Sequence, residues 1–334
     1  MGNEHLSELR RKNRITCLRF ILTISAGLLS TWSWAQSSST ASPEQCSLAV
    51  VSRTIGGDTK VCGSDVVQQM ARRGQAFAQN QLGLASILAI GPDFNQKEAL
   101  AWFQRAAQNG YAPAEVNLAV MYMNGWGTAT NYGAAQHWLR AAADQHFGRA
   151  YYNLGILYFE GKGVRQDYGE ALRWFRLGAD RGDLGAQTNL GYFYDQGLGC
   201  TRDIVEAVRW YRKAAEAGDA LSENNLADLY LKGDGVPLDD ALAFRWFQKA
   251  AAQGQTGARI KLGYMYASGR GTARDPEMAY SWVSAATMAG DPRGKELLHS
   301  LEKMLTEAQI ATGRERAIGW QLGSREYSAR RFGQ

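Results

Sequence analysis

Apolar and small residues recur along most of this chain with two nested periods. Within short segments they fall at i, i+3, i+4 and i+7, the spacing that lines one face of a helix. One such segment surrounds each of Trp102, Trp138, Trp174, Trp210, Trp246 and Trp282, which stand 36 residues apart with no break in register. Ala99, Ala135, Ala171, Ala207, Ala243 and Ala279 precede the tryptophans by three. Phe103, Leu139, Phe175, Tyr211, Phe247 and Val283 follow by one, and Ala106, Ala142, Gly178, Ala214, Ala250 and Ala286 by four. This is helix B of a copied unit, and a fixed period of this size predicts an all-α solenoid of about six 36-residue helix-turn-helix repeats.

The ends of helix B are written in polar residues. Asn95, Asn131, Asp167, Asp203, Asp239 and Asp275 lie seven before each tryptophan, where a side-chain oxygen caps the first free amides. Glu98, Glu170 and Glu206 follow at capping-box spacing, and Pro276 takes a first helical position. Gly110, Gly182, Gly218, Gly254 and Gly290 predict left-handed C-caps; His146 interrupts this series, and Gly148 is expected to take over its turn. Helix A follows, marked by Ala114, Ala150, Ala186, Ser222 and Ala258, then leucines from Leu118 to Leu262, then tyrosines from Tyr122 to Tyr266. A Gly-x-Gly turn closes each unit (Gly125/Gly127 through Gly269/Gly271). With no Walker lysine it predicts backbone geometry, not phosphate binding.

Asn153-Leu154-Gly155, Tyr158, Gly161-Lys162-Gly163-Val164, Asp167, Ala171, Trp174-Phe175 and Gly182 together form a recognisable pattern. Over about residues 71–312 the chain resembles the Sel-1-like repeat family, relatives of the tetratricopeptide repeats. The resemblance implies paired antiparallel helices stacked into a right-handed superhelix with a concave face, and a role in protein–protein contacts. The first unit departs from the pattern, with Ala89 and Gly91 replacing the glycine pair, and the last ends in a longer helix. A cysteine-rich branch of the family staples every repeat. That pairing is missing here, so penicillin-binding activity is not carried over.

Residues 1–35 stand outside the periodicity. Arg10, Arg11, Lys12, Arg14 and Arg19 precede an apolar run from Phe20 to Leu29, and Ser33-Trp34-Ala35 offers a small-x-small cleavage site: a secretory signal peptide with Gln36 as the new N-terminus. Arg10-Arg11 suggests twin-arginine export, but further charges follow where apolar residues belong. An uncleaved anchor is the competing reading. The run is short of the roughly 20 residues that span a bilayer, which favours cleavage and no stable membrane span thereafter. The expected organisation is signal peptide 1–35, linker and cap 36–70, repeats 71–290, capping helix 291–312 and tail 313–334. Removing the leader's net +3 lowers the formal charge from +5 to +2, so the basic pI does not point to nucleic acid. Cys46 and Cys62 flank a Gly-Gly loop in an exported chain and are expected to pair, while Cys200 reads as a structural thiol.

No catalytic constellation emerges. His5, His137, His146 and His299 are isolated, no residues have metal-ligand spacing, and there is no Gly-x-Ser-x-Gly elbow. No metal, cofactor or catalytic residue is therefore assigned. The ladder Asn117, Asn153, Asn189 and Asn225, continued by Lys261, reads first as architecture, with binding of extended peptide as the alternative. Trp174 and its equivalents read as core.

Positions that vary between units carry the functional expectation. On the tetratricopeptide pattern the inward positions of helix A are Leu84, Ile87, Val116, Val120, Met123, Tyr152, Ile156 and Phe159. Polar and aromatic ones follow: Thr188, Tyr192, Asp195, Asn224, Asp228, Lys232, Ile260 and Tyr264. The first eight are expected to merge into one exposed apolar patch that, with Tyr192, holds a protein or peptide partner. The competing reading covers that patch with residues 43–70 or a second copy of the chain. The functional expectation is a non-catalytic periplasmic adaptor or regulator; the alternatives are an assembly factor of an envelope machine and, behind it, a cell-wall or lactam-processing enzyme.

Overall fold

A computed structural model of the chain describes residues 64–88 and 95–332. The expected signal segment 1–35, Cys46 and Cys62 lie outside the described residues. Among the described residues there are fifteen α-helices and no strand. A lead helix α1 (Ser64–Arg72) precedes six A/B pairs: α2 (Ala76–Leu88) with α3 (Gln96–Gln108), α4 (Ala112–Asn124) with α5 (Tyr132–Asp144), and α6 (Gly148–Glu160) with α7 (Tyr168–Asp180). These continue as α8 (Leu184–Gln196) with α9 (Ile204–Glu216), α10 (Ala220–Lys232) with α11 (Asp240–Ala252), and α12 (Thr256–Ser268) with α13 (Pro276–Met288), before α14 (Lys295–Glu302) and α15 (Glu307–Phe332). This is an all-α repeat solenoid. It divides into two compact units between Ala186 and Gln187.

Capping fixes where each B helix starts. The side chains of Asn95, Asn131, Asp167, Asp203, Asp239 and Asp275 each accept the amide three residues on, at 2.8–3.1 Å. The capping boxes expected from Glu98, Glu170 and Glu206 do not close, for a physical reason. The N-cap residue's own N–H already donates to the preceding A helix, as Asn131 does to the Tyr122 carbonyl at 2.9 Å and Asp275 to that of Tyr266 at 2.8 Å. Glu170 and Glu206 bind Arg173 and Arg209 instead, each at 2.9 Å. A reciprocal box does form where the period has ended, between Thr306 and Gln309 at the start of α15.

The turns follow the glycines with one exception. Both glycines of each Gly-x-Gly turn have positive φ, as do Gly110, Gly182, Gly218, Gly254 and Gly290. His146 itself adopts the left-handed conformation, at φ 59°, and Gly148 lies inside α6; the turn was not handed on. The Tyr151 hydroxyl donates to the Ala143 carbonyl at 2.9 Å, so the His146 Nδ1, 3.1 Å away, must carry the proton that binds it.

The deepest core residue is the one after each tryptophan. Phe103, Leu139, Phe175, Tyr211, Phe247 and Val283 are all buried, while Trp102, Trp138, Trp174 and Trp246 are only half-buried. These four form a rim, with rings covered by cations such as Arg173 over Trp174 at 4.3 Å and Lys249 over Trp246 at 4.0 Å, whereas Trp210 and Trp282 are buried in the core. Small residues on helix A make room for the deep aromatic: a Cβ on Gly155 would sit 2.6 Å from the Phe175 ring.

A second ladder is polar and buried. Gln79 donates to the Ala71 carbonyl, Tyr151 to Ala143 and Arg259 to Ala251, each eight residues back at the end of the preceding helix. Glu115 and Glu223 stand at the same place in the repeat and present carboxyl oxygens there. They accept instead from Gln145 at 3.0 Å and Gln253 at 2.7 Å, thirty residues on. Burial of Arg259, at 2% exposure, holds its guanidinium below its ordinary value.

The expected boundaries at 70/71 and 312/313 both fall inside helices, α1 and α15. The single capping helix at 291–312 is replaced by a 3₁₀ turn (Pro292–Gly294), α14 and α15. Gly294 and Leu298 keep the 36-residue register, so α14 is the A helix of a truncated seventh unit. The helix α15 leaves that register and docks on α13 through Gly313, Ala317 and Trp320.

Candidate functional site

Helix A places the expected binding residues at regular positions, but packing treats them unequally. In the first unit Ile87, Val116, Val120 and Met123 are buried, Val116 at 1% and Val120 at 2% exposure. Val116, Val120 and Met123 belong to one cluster with Ala150 and Leu154 of α6, and Ile156 packs against it; Ile87 lies in another with Phe103 and Leu118, against which Leu84 packs. The expectation of one exposed apolar patch is corrected for these four residues. Apolar side chains on successive helices are large enough to close on each other, and this burial leaves them little exposed surface.

Leu84, Tyr152, Ile156 and Phe159 are half-buried. Arg149 lies over the Tyr152 ring at 5.1 Å, and Phe159 meets Tyr168 at 5.9 Å between centroids. Arg149 is held in turn by Asp183, Nε to Oδ2 at 2.8 Å, in a pair that is almost completely buried.

In the second unit the equivalent face is polar and open. Tyr192 and Tyr264 are 41% and 49% exposed, and they occupy the same place in the repeat as Val120. Between them in sequence, Asp228 fills that place and pairs with Lys261, whose ammonium lies 5.6 Å from the Phe247 ring. Arg202 bridges Asp195 at 3.4 Å and Asp234 at 2.7 Å. Thr188 turns inward to Asp219 and Ser222, at 2.9 and 2.8 Å, and Ile260 is buried, so neither joins this surface. Asn224 contacts the Asn225 amide oxygen at 3.3 Å, and Lys232 lies at the end of α10. Leu221, 48% exposed, was missed by the sequence reading, since nothing periodic marks that position.

The asparagine ladder is not uniform. Asn117 donates to Asn80 at 2.9 Å, whereas Asn153 donates to its own helix at Arg149 O, also 2.9 Å. Histidines sit apart, His137 edge-on to Trp138 and His146 on Tyr151. Cys200 is half-buried, with Sγ 4.0 Å from the Phe193 carbonyl. Burial raises the pKa of the Tyr211 hydroxyl, helped by Asp195 and opposed by a bond to Asn225; this is a core tyrosine, not an acid–base group. Among the described residues no group of three or more His, Cys, Asp or Glu could hold a metal ion, and no helix is long and apolar enough to cross a membrane.

The Sel1 repeat model matches residues 76–111, 112–147, 148–183, 185–219, 220–255 and 257–291, which coincide with the six A/B pairs. Among curated proteins none matches the chain. Among solved structures, the chain is similar to c5321, a protective antigen of uropathogenic Escherichia coli strains displaying an SLR fold. Identity is 34%, the TM-score is 0.63, and the match covers 79% of this chain and 56% of that one. It is also similar to a Sel1 repeat protein from Oxalobacter formigenes, with 34% identity, a TM-score of 0.59, and 66% and 90% of the two chains covered. This chain thus spans little more than half the length of the Escherichia coli relative. With six repeats matched in register with the helices, the chain belongs to the Sel1 repeat family.

Proposed function

We propose that this protein is an exported, non-catalytic adaptor that holds a protein partner against the A-helix face of its second unit. Sel1 repeats generally mediate protein–protein interaction. The observation that carries the reading is the pair Tyr192 and Tyr264, exposed at equivalent positions two repeats apart with the Asp228–Lys261 ion pair at the equivalent place between them in sequence. Exposed tyrosines bring large contact area and a polar tip at low entropy cost, which suits a recognition surface. The basic leader and Ser33-x-Ala35 signature support export to the periplasm.

The test is affinity capture from the native envelope with mass spectrometry, comparing the wild-type chain with a Tyr192→Ala/Tyr264→Ala variant. A protein retained by the first and lost by the second, with helical content unchanged, is the expected result. A partner held equally by both moves the site elsewhere. N-terminal sequencing of the envelope protein should begin at Gln36; an intact Met1 in the membrane pellet would establish an anchor instead.

A further inference from the structure

The repeat provides its own controls for one feature on the other side of the helix pairs. The tyrosine near the end of an A helix has, 18 residues earlier on the preceding B helix, a long polar side chain. Gln104 donates to the Tyr122 hydroxyl at 3.1 Å, Arg212 to that of Tyr230 at 2.8 Å, and Gln248 hydrogen-bonds Tyr266. The bond ties a B helix to the next A helix across the groove between them. Arg140 stands at the same place before Tyr158, and Arg212 shows that an arginine there can reach. Yet among the described residues neither Arg140 nor the Tyr158 hydroxyl has a hydrogen bond or ion pair.

A cavity of about 400 Å³ opens at this point, lined by Arg140, Asp144, Tyr158, Glu170, Arg173 and Trp174. Glu170 and Arg173 neutralise each other, with Nη2 to Oε2 at 2.9 Å and both carboxylate oxygens engaged, and the guanidinium lies on the Trp174 face. Trp174 is stacked on Tyr151 at 5.9 Å, and its buried Nε1 has no acceptor. Asp144, one turn beyond Arg140 on α5, forms no ion pair with Arg140 or with any other described residue. The cavity thus presents one uncommitted cation and one uncommitted anion a helical turn apart, a free phenol, and an aromatic wall.

We infer that this cavity binds a small zwitterion of the α-amino acid type. Its carboxylate accepts from the Arg140 guanidinium and the Tyr158 hydroxyl, its ammonium donates to Asp144, and its side chain lies along the Arg173–Trp174 stack. A purely anionic ligand would leave Asp144 repelling it and a purely cationic one would meet Arg140, so charge balance selects a molecule carrying both. The volume suits a single amino acid with its side chain. The site lies wholly in the first unit, on the B helices α5 and α7 and the end of the A helix α6, so it is independent of the Tyr192–Tyr264 surface.

Isothermal titration of the protein with a panel of free L-amino acids tests this. At least one is expected to bind with sub-millimolar affinity, and its N-acetyl and carboxamide derivatives to bind about tenfold more weakly or worse. Arg140→Ala and Asp144→Asn, both at exposed positions, should each weaken binding about tenfold while leaving the melting temperature unchanged. The inference is overturned if no free amino acid binds at millimolar concentration. It is equally overturned if a blocked derivative binds as well as its parent, or if affinity survives in both variants.

Discussion

Trp320 lies flat on Trp282, with 3.8 Å between ring centroids and 19° between ring planes. In other B helices the tryptophan ring carries a cation: Lys249 over Trp246, and Arg209 with Lys213 over Trp210. Where α9 has Arg209 and Lys213 and α11 has Arg245 and Lys249, α13 has Ser281 and Ala285. The small residues clear a path for α15, and an indole replaces the cation. Gly313 completes the approach, since a Cβ there would come within 2.7 Å of the Tyr280 ring. Arg316–Glu277 at 2.9 Å and Gln321 on the Ala285 carbonyl at 2.6 Å fix the register of the two helices.

Trp320→Ala should therefore undock α15. The half-buried indole and its stacking partner together contribute about 2–3 kcal/mol. Chemical unfolding should report a loss of that size, and amide exchange should accelerate within 307–321 while the earlier repeats keep their protection. Unchanged exchange in α15 would show that the ion pairs alone hold it.

The 36-residue period, the N-caps and the turn glycines were all legible in the sequence, because each rests on one residue type that backbone geometry demands at a fixed place. The buried polar ladder was not. Gln79, Glu115, Tyr151, Glu223 and Arg259 share no side-chain chemistry, only the length to reach a helix end, so identity does not repeat although function does. The docking helix was hidden for a different reason: α15 abandons the period that made the other helices visible. For the candidate site, sequence placed Val120 and Tyr192 correctly as equivalents, but exposure depends on what the neighbouring helix offers. Val120 meets apolar neighbours that close over it, whereas the next residue at the Tyr192 position is the smaller, charged Asp228.

Glu115 is 3% exposed, and burial, reinforced by the nearby Asp144 charge, raises its carboxyl pKa above the ordinary value. A carboxyl raised in the folded state binds a proton more readily folded than unfolded. Stability from this group is therefore greatest below its unfolded pKa and falls as pH rises through the folded one. Gln79 shows that glutamine fits this place, donating to Ala71 while accepting from Asn109. Glu115→Gln should stabilise the protein at pH 7, with the advantage shrinking towards pH 4. Urea unfolding across that range checks the sign; a variant less stable at pH 7 would mean the Gln145 bond outweighs the charge.

Asp183 does two things in the first unit: it pairs with buried Arg149 and caps the start of α8 through the Ala186 amide at 2.8 Å. Asp183→Ala leaves a buried guanidinium without its counter-charge and should cost about 3 kcal/mol or more. Pairing it with Arg149→Met should recover part of that loss, because the stranded charge goes too. A double-mutant cycle in thermal or chemical unfolding measures the coupling, and additive losses would show that the pair contributes nothing beyond the cap.

His146 tests how much backbone strain one repeat tolerates. It holds φ 59° where the equivalent residues are glycines, a conformation that costs an L-residue about 1–2 kcal/mol. Glycine would relieve that strain, but would lose the Tyr151 bond, worth about 1 kcal/mol, and add chain entropy to the unfolded state, about 0.5–1 kcal/mol. These terms nearly cancel, so His146→Gly should leave stability within about 0.5 kcal/mol of wild type. Valine keeps the left-handed penalty, worsens it by β-branching and makes no bond to Tyr151, so His146→Val should lose about 2 kcal/mol. The informative quantity is the difference between the two variants in urea unfolding. If valine and glycine are equally stable, the backbone has shifted to another turn and φ at 146 is not imposed by the repeat.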